Sequence, residues 1–311
     1  MSPPGYRSSF AQWETRASVR SRPRRHPTAV LGPDQVFFPP ELFPVLSAPA
    51  LADLDPAARQ SILQHALYQY LHFTTVLEQH AVLPVTSAIS LGDVGIALPE
   101  AMRADAYKIT TDEAWHAQFA YDFIAELHAE TGVPSSALVR PRFVTDLARL
   151  REEVEPSLRR LADLLFTTVS ETLVSQLLMD IPRDGRIPDP IREVVADHAM
   201  DEGRHQTYFR QFLRELWTQL GTAERRFAGP LIPRLVEIFL APDLGSVEAI
   251  LRQAGLAPTV VSTALRETYA AVPEGRLAAE ARVTVRLFDE VGALDDHATR
   301  AAFTTAGLVP A

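Results

Sequence analysis

The sequence predicts an all-α protein, a four-helix bundle with additional N- and C-terminal helices. Three observations predict this class. Four long stretches place apolar residues at helical spacing, and proline or glycine lies at their ends. No alternating period-two run is long enough to form a sheet, and no internal repeat is present. The remaining segments are short and helical, with Pro, Gly and Asp between them.

The first 55 residues are predicted to be an N-terminal arm followed by a loop. Within residues 1–35, six arginines face only two acidic residues, Glu14 and Asp34. This charge indicates either an arm that docks on an acidic surface, its own or a partner's, or a partly ordered tail. Four prolines make residues 36–55 a loop with short turns.

The four long helices are predicted over residues 56–83, 99–131, 138–180 and 189–220. Pro84 should end or kink the first helix, and Gly132 closes the second. Shorter helices follow at about 230–240, 245–254, 258–271, 276–292 and 295–306. The expected organisation is an arm and loop (1–55), a bundle (56–220) and C-terminal helices packed on it (221–311), as one domain.

Composition excludes several classes of site and partner. The 311 residues are 47% hydrophobic and 22% charged, with a net charge of −9, which argues against nucleic-acid binding. Because there is no cysteine, disulfides, iron–sulfur clusters and thiolate sites are excluded. No stretch reaches the roughly 18 apolar residues of a membrane span, and no apolar signal core follows Met1. The sequence therefore predicts a cytoplasmic protein that does not associate with membranes.

Two of the long helices carry the pattern Glu-x-x-His. It occurs as Glu113–His116 in the second helix and as Glu202–His205 in the fourth. Residues three apart lie on the same helix face, so each pair presents a carboxylate and an imidazole in one direction. The fourth helix adds His198, which extends the stripe by one turn.

The first and third long helices each place one glutamate among apolar residues, Glu78 and Glu171. A buried carboxylate is usually paired or bound to metal, because leaving it alone costs several kcal/mol. Two divalent cations would cancel the four carboxylate charges. One Glu from each of two helices plus two Glu-x-x-His pairs is the pattern of ferritin-like di-iron and di-manganese proteins. The expected metal ligands are Glu78, Glu113, His116, Glu171, His198, Glu202 and His205. From its spacing alone, His198 could equally be a neighbour that hydrogen-bonds to a ligand one turn away.

The order Glu, Glu-x-x-His, Glu, His-x-x-x-Glu-x-x-His resembles that of the aureothin-type p-aminobenzoate N-oxygenases, di-iron arylamine oxygenases of antibiotic biosynthesis. The resemblance covers the four bundle helices and extends to the segment Trp-Glu-Thr-Arg-Ala-Ser-Val-Arg at residues 13–20. It implies a non-haem di-iron monooxygenase with two Fe ions (Fe2+/Fe3+) and O2 as co-substrate. The product series would run from aryl amine through hydroxylamine and nitroso to nitro.

The same resemblance implies how the ligands divide between the two metals. Glu78, Glu113 and His116 would surround one iron. Glu171, His198 and His205 would surround the other, with Glu113 and Glu202 as bridging carboxylates. Iron in place of manganese is implied by the resemblance alone, because imidazole and carboxylate ligands also suit manganese or zinc.

A substrate pocket is expected beside Glu78 and Glu171. An aminobenzoate carboxylate needs a nearby Arg or Lys, and residues 61–90 contain neither. Arg103, Arg192 or the C-terminal helices could supply one. The substrate is therefore expected to be a neutral or larger amine. The candidate pocket residues, which are apolar or carry hydroxyls, are Thr74, Thr75, Val82, Thr168, Ser175 and Leu178.

Other functions remain open for the same ligands. The cluster could serve C–H hydroxylation or aliphatic amine oxidation, or the protein could be a non-enzymatic ferritin-like iron-binding protein. A purely structural helical protein would bind no metal stoichiometrically. An oxygenase needs an external electron donor, a reductase or ferredoxin, because no flavin or nicotinamide fingerprint is present. A homodimer is a further expectation.

Overall fold

The computed structural model describes residues 5–135, 138–270 and 275–310, without the side chains of residues 175–177. Within these ranges all regular structure is helical and no β-strand occurs, so the all-α prediction is confirmed. The α-helices are, in chain order, α1 (Trp13–Arg16), α2 (Ser18–Ser21), α3 (Pro56–Leu77), α4 (Leu83–Leu91), α5 (Glu100–Thr131), α6 (Arg142–Glu153), α7 (Arg159–Leu177), α8 (Asp189–Gln219), α9 (Thr222–Leu240), α10 (Leu244–Gln253), α11 (Pro258–Tyr269), α12 (Arg276–Glu290) and α13 (His297–Thr305).

The first bundle helix does not stop at Pro84. α3 begins after Asp55, whose carboxylate accepts hydrogen bonds from the Ala57 and Ala58 amides at 2.9 Å. It runs into a π-helical turn, Glu78–Val82, and continues as α4 with Pro84 in its first turn. The wider turn places Pro84 where a helix start tolerates a missing N–H, so the chain stays helical to Leu91.

The third long stretch was predicted as one helix over residues 138–180, and this is wrong. The chain forms α6 and α7, separated by a short 3-10 turn, Pro156–Leu158. Pro156 cannot donate a helical hydrogen bond and disfavours helical backbone in the residue before it, Glu155. The predicted start at residue 138 is also too early, since α6 begins after Pro141.

The second and fourth long helices match their predicted ranges within one residue. α5 ends at Gly132, which has a left-handed backbone (φ 72°), and its N–H donates to the His128 carbonyl at 2.9 Å. α8 begins with Asp189 and Pro190, where proline suits the first turn. These two helices carry both Glu-x-x-His pairs.

The C-terminal helices follow the prediction except at α9. This helix was expected to begin near Pro230 but starts at Thr222 and contains Pro230 and Pro233. Glu224 accepts a hydrogen bond from the Gly221 amide at 2.7 Å and stabilises the early start. Tertiary packing of α9 against α7 and α13 outweighs the helical hydrogen bonds that the two prolines lose.

Four helical segments surround the interior where the predicted ligands lie. α3 and α4 pack against α5, α7 packs against α8, and α5 contacts α8 across the interior. The π-helical turn contacts both α5 and α7. α9 contacts both α7 and α13, and α12 also contacts α7. Among the described helices, none has the length and apolar character that crossing a bilayer requires.

Candidate metal centre

All seven predicted ligands meet in the bundle interior, and each residue is at most 3% exposed. The π-helical turn presents Glu78, and α7 presents Glu171. The helical spacing of α5 and α8 points their Glu and His side chains inward at the same level. The ligand residues from these two helices are Glu113, His116, His198, Glu202 and His205.

The side chains form two groups of four, each with potential ligand atoms within 4.8 Å of one another. The first group contains Glu78, Glu113, His116 and His198. The second contains Glu113, Glu171, Glu202 and His205. Glu113 belongs to both groups, as a carboxylate between two metal positions would. Four nitrogen and oxygen donors per group suit a divalent first-row metal.

His198 lies with a different group from the one that the resemblance implied. Its Nε2 atom is 3.3 Å from Oε1 of Glu78, and its ring centroid is 4.2 Å from that of His116. His205 lies two helical turns further along α8, about 10 Å away along the axis. The two histidines therefore reach opposite ends of the cluster, and Glu202 lies between them in sequence and 3.1 Å from His198.

Several of the potential metal-ligand atoms have no hydrogen-bond partner in the described part of the chain, which is what a site for two cations requires. Both carboxylate oxygens of Glu78, and one oxygen each of Glu113, Glu171 and Glu202, have no hydrogen-bond partner among the described residues. Nδ1 of His205 also has none, although it lies 3.0 Å from Oε1 of Glu113. Buried acceptors left in this way are costly. Two metal ions would satisfy all of them at once.

The pKa values of the buried glutamates also favour a site for cations. Burial, and then the charge of Glu113, raises the pKa of Glu78 well above its ordinary value. Burial and the Glu202 charge do the same to the pKa of Glu171. These are the effects of like charges confined in a dry interior. Positive charge placed among the carboxylates would remove the penalty.

The histidines respond to the same field. Although burial lowers it, the pKa of His116 is raised well above its ordinary value by Asp201 and Glu113. Burial also lowers the pKa of His205, but the charges of Glu113 and Glu202 raise it by more, so that it lies well above its ordinary value. Burial and the neighbouring His116 lower the pKa of His198. A metal pair would replace the protons on His116 and His205.

Sequence reasoning missed two aspartates that contact the ligand imidazoles. Nε2 of His116 lies 3.0 Å from Oδ2 of Asp201, and Nε2 of His205 lies 3.2 Å from Oδ2 of Asp112. Both aspartates are fully buried. Each directly precedes the glutamate of a Glu-x-x-His pair, so the sequence signal was the longer pattern Asp-Glu-x-x-His, present twice. Carboxylates in this position orient metal-bound imidazoles.

A cavity of about 510 Å³ lies between α3, the loop before it and the C-terminal helices α9, α10 and α12, and α7 contributes Leu173 to its wall. Five aromatic side chains from the loop, α3 and α9 line it, and the charged residues in the described part of its lining are three acids and one arginine. Thr74, one turn before Glu78, also lines it. The aromatic lining residues are Phe38, Phe43, Tyr70, Phe73 and Phe239.

The predicted pocket residues do not come together around this cavity. Thr74 lines it, while Thr75 lines a separate groove between α3 and α5. Thr168 is buried, and its hydroxyl donates to the Leu164 carbonyl at 2.8 Å. Val82 and Leu178 are buried in the apolar core. The side chain of Ser175 lies outside the described part of the chain.

Neither of the two named arginines lines the cavity. Arg103 donates to the Ser90 carbonyl at 3.2 Å, and Arg192 donates to the Ile187 carbonyl at 3.1 Å. The C-terminal helices supply Arg276, which lines the cavity and donates to Glu280 at 3.0 Å. The other acids of the lining are Asp180 and Asp243.

Comparison with known proteins gives two matches. Residues 24–292 match the family model described as p-aminobenzoate N-oxygenase AurF. The 4-aminobenzoate N-oxygenase of Streptomyces thioluteus is 25% identical over 228 residues, which are 70% of this chain and 66% of that relative. The chain thus spans just under two thirds of the relative's length. Every residue of the two donor groups lies within the range that the family model matches.

Proposed function

The chain belongs to the p-aminobenzoate N-oxygenase AurF family, and from this we propose that it is a non-haem di-iron monooxygenase that N-oxygenates an aryl amine. The observation that carries the proposal is the pair of buried donor groups that share Glu113. A storage role could use the same donor groups, but it requires no cavity lined with aromatic side chains. The proposed ligands are the seven residues of those groups.

Two iron ions bound here would supply the electrons that activate dioxygen and the oxidising power that transfers one oxygen atom to nitrogen. The first conversion, from amine to hydroxylamine, consumes O2, two electrons and two protons and releases water. The electrons must come from outside the chain, so we propose an external reductase or ferredoxin. The residues of the chain hold the metals, exclude water and position the amine.

Substrate and histidines lie on different sides of the proposed centre. Glu78 and Glu171 come from the side of α3 and α7, where the cavity reaches Thr74. The three histidines come from α5 and α8. An amine bound in the cavity would approach the centre past Thr74 of α3 and Leu173 of α7, and the imidazoles of α5 and α8 would hold the metals from the other side.

The cavity lining favours an aryl amine without a carboxylate. Its aromatic side chains can stack on an aryl ring. Among the described lining residues the only arginine, Arg276, is paired with Glu280, and Asp180 and Asp243 add negative charge nearby. An aminobenzoate anion would meet net repulsion here, since the acids outnumber the single arginine. We propose a neutral or larger aryl amine as substrate.

The test is oxidation of aryl amines by purified protein loaded with ferrous iron. Reduced protein is mixed with 18O2 and either p-aminobenzoate or its neutral primary amide, and products are analysed by mass spectrometry. Labelled hydroxylamine, nitroso or nitro product, formed faster from the amide, is expected. Label on ring or side-chain carbon would instead support C–H hydroxylation. Iron mineralisation without amine dependence would support iron storage.

A variant of the cluster serves as the control. Glu171→Ala removes a ligand of one donor group, and Glu171 is not among the described residues that line the cavity. It should form no N-oxygenated product while keeping its helical circular dichroism. Product formation that survives this change would rule out the proposed centre as the source of the activity.

A further inference from the structure

The N-terminal arm reaches the metal centre through the two aspartates. The indole Nε1–H of Trp13 donates to both carboxylate oxygens of Asp112, at 2.8 and 2.9 Å. The backbone N–H of Ser18 donates to both oxygens of Asp201, at 3.2 and 3.1 Å. Both donors come from a segment that precedes the matched range of the family, which begins at residue 24.

The contacts continue from the aspartates to imidazoles on the opposite helix. Asp112 of α5 contacts His205 of α8, whereas Asp201 of α8 contacts His116 of α5. Two chains of contacts result, one from Trp13 through Asp112 to His205, the other from Ser18 through Asp201 to His116. Each ends in a different donor group. The arm is thus connected to both metal positions by separate routes.

The contacts between the arm and the two aspartates are buried, which strengthens them. Trp13 is 4% exposed, and Ser18, Asp112 and Asp201 are fully buried, so water does not compete for the carboxylates. Asp112 accepts from the arm on one side and contacts an imidazole on the other, so both contacts set its orientation. Asp201 is held in the same way by Ser18 and His116, and it also accepts a hydrogen bond from Arg204 of its own helix. The imidazole orientation then follows that of the carboxylate. Phe10 adds a stacked contact on His205, with ring centroids 6.0 Å apart.

Several ion pairs hold the arm on the acidic surface of α5 and α8. Arg25 donates to Asp197 and Glu193, each at 2.8 Å. Arg24 pairs with Glu126, and Tyr6 donates to Asp105 at 2.6 Å. Surface pairs contribute little singly, but several along one segment fix its register. The acidic surface that the arm's arginines contact is therefore the chain's own.

We propose that the arm is a built-in part of the metal centre, with Trp13 and Ser18 as positioning residues for His205 and His116. The inference rests on the proposed di-metal function and adds that each metal position is tuned by its own arm residue. Loss of the Trp13 donor affects the group of His205. Loss of the Ser18 donor affects the group of His116.

Two matched pairs of variants test this. Trp13→Phe removes the Nε1–H donor and keeps an aromatic ring. Trp217→Phe is its control. Trp217 is also 4% exposed, but it lies near the C-terminal end of α8, three turns beyond His205, and packs on Phe288 of α12. Ser18→Pro removes the backbone donor at the first residue of α2, a position that proline tolerates after the extended Ala17 (ψ 141°). Ser18→Ala keeps the N–H and removes only a hydroxyl that has no hydrogen-bond partner in the described structure.

The measurements are iron affinity, by competition with a chelator, and the Mössbauer spectrum of the di-ferrous protein. Trp13→Phe and Ser18→Pro should each weaken binding about 10- to 100-fold. Each should also change a different one of the two iron signals. Trp217→Phe and Ser18→Ala should leave both affinity and spectrum as in the wild type. Unchanged affinity and spectra in Trp13→Phe and Ser18→Pro would overturn the inference.

A metal-free measurement separates this inference from the proposed function. Imidazole 15N signals of the metal-free protein report the tautomer and contacts of each histidine. Trp13→Phe should shift the His205 signals, and Ser18→Pro those of His116. If wild-type protein bound no iron, the proposed function would fail, and these signals would still decide the role of the arm. Signals that match those of the controls would refute it.

Discussion

Nδ1 of His205 on α8 lies 3.0 Å from Oε1 of Glu113 on α5, without forming a hydrogen bond. Both side chains are fully buried. The two atoms come from different helices and approach the same point, which makes Glu113 the carboxylate that joins the two donor groups. Replacing Glu113 should therefore affect metal binding more than replacing a ligand that belongs to one donor group only.

Replacing Glu113 should remove both metals, whereas replacing Glu171 should remove one. Glu113→Ala takes a donor from each group, and Glu171→Ala takes a donor from the second group alone. We expect metal content to fall from two per chain to well below one in the first variant and to about one in the second. Elemental analysis of protein loaded with Mn2+ measures this. Glu100→Ala, at the exposed start of α5, is the control and should retain two metals.

The stability of the metal-free protein should fall as pH rises from about 7 to 9. The pKa values of His116 and His205 are raised in the folded chain, despite burial, mainly through Asp201 and Glu113, respectively. They therefore keep protons that the unfolded chain has lost above its ordinary histidine pKa. The raised pKa values of Glu78 and Glu171 act in the same direction. A folded state that binds more protons loses stability as pH increases.

Bound metal should remove this trend, because it replaces those protons and the folded state then binds no excess of protons over the unfolded chain. The difference in Tm between metal-bound and metal-free protein should therefore widen with pH. Calorimetry with and without Mn2+ at three pH values measures both curves. His198, whose pKa is lowered mainly by burial, is neutral in both states above about pH 7 and does not contribute there. A metal-free protein that is more stable at the higher pH would contradict the electrostatic account of the cluster.

Narrowing the cavity should change substrate range without loss of metal. Ala66 lines the cavity on α3, three turns before Glu78. Ala66→Phe would fill part of the 510 Å³ volume. We expect turnover of bulky aryl amines to fall at least tenfold, with a smaller loss for unsubstituted aniline. Steady-state kinetics across a size series measures this, and metal content should stay at the wild-type level. Equal losses for all sizes would indicate that substrate binds elsewhere.

Two helical glycines should respond in opposite directions to alanine. A Cβ at Gly229 of α9 would collide with the hydroxyl of Thr299 on α13. Gly229→Ala should therefore destabilise the protein by about 1–3 kcal/mol. A Cβ at Gly203 of α8 meets nothing within 4 Å, so Gly203→Ala should stabilise it by about 0.5–1 kcal/mol through helix propensity. Urea unfolding of both variants measures the changes, and the same sign for both would refute the packing argument.

The sequence by itself determined the helical class and the set of donor side chains. Both are local properties: apolar periodicity defines a helix, and a spacing of three residues places Glu113 beside His116 and Glu202 beside His205. Isolated glutamates in apolar surroundings, Glu78 and Glu171, stand out for the same local reason. The bounds of α5 and α8 followed from their flanking proline and glycine residues.

Only the tertiary structure decided how these parts meet. Periodicity does not report the rotation and level of one helix relative to another, so it could not place His198 with Glu78 or bring Asp112 to His205. Nor could it distinguish Pro84, which a π-helical turn accommodates, from Pro156, which separates α6 from α7. The position of Trp13 was least predictable, because a short segment docks through contacts about 100 residues away in sequence. Such contacts exist only once the bundle has assembled the surface that receives them.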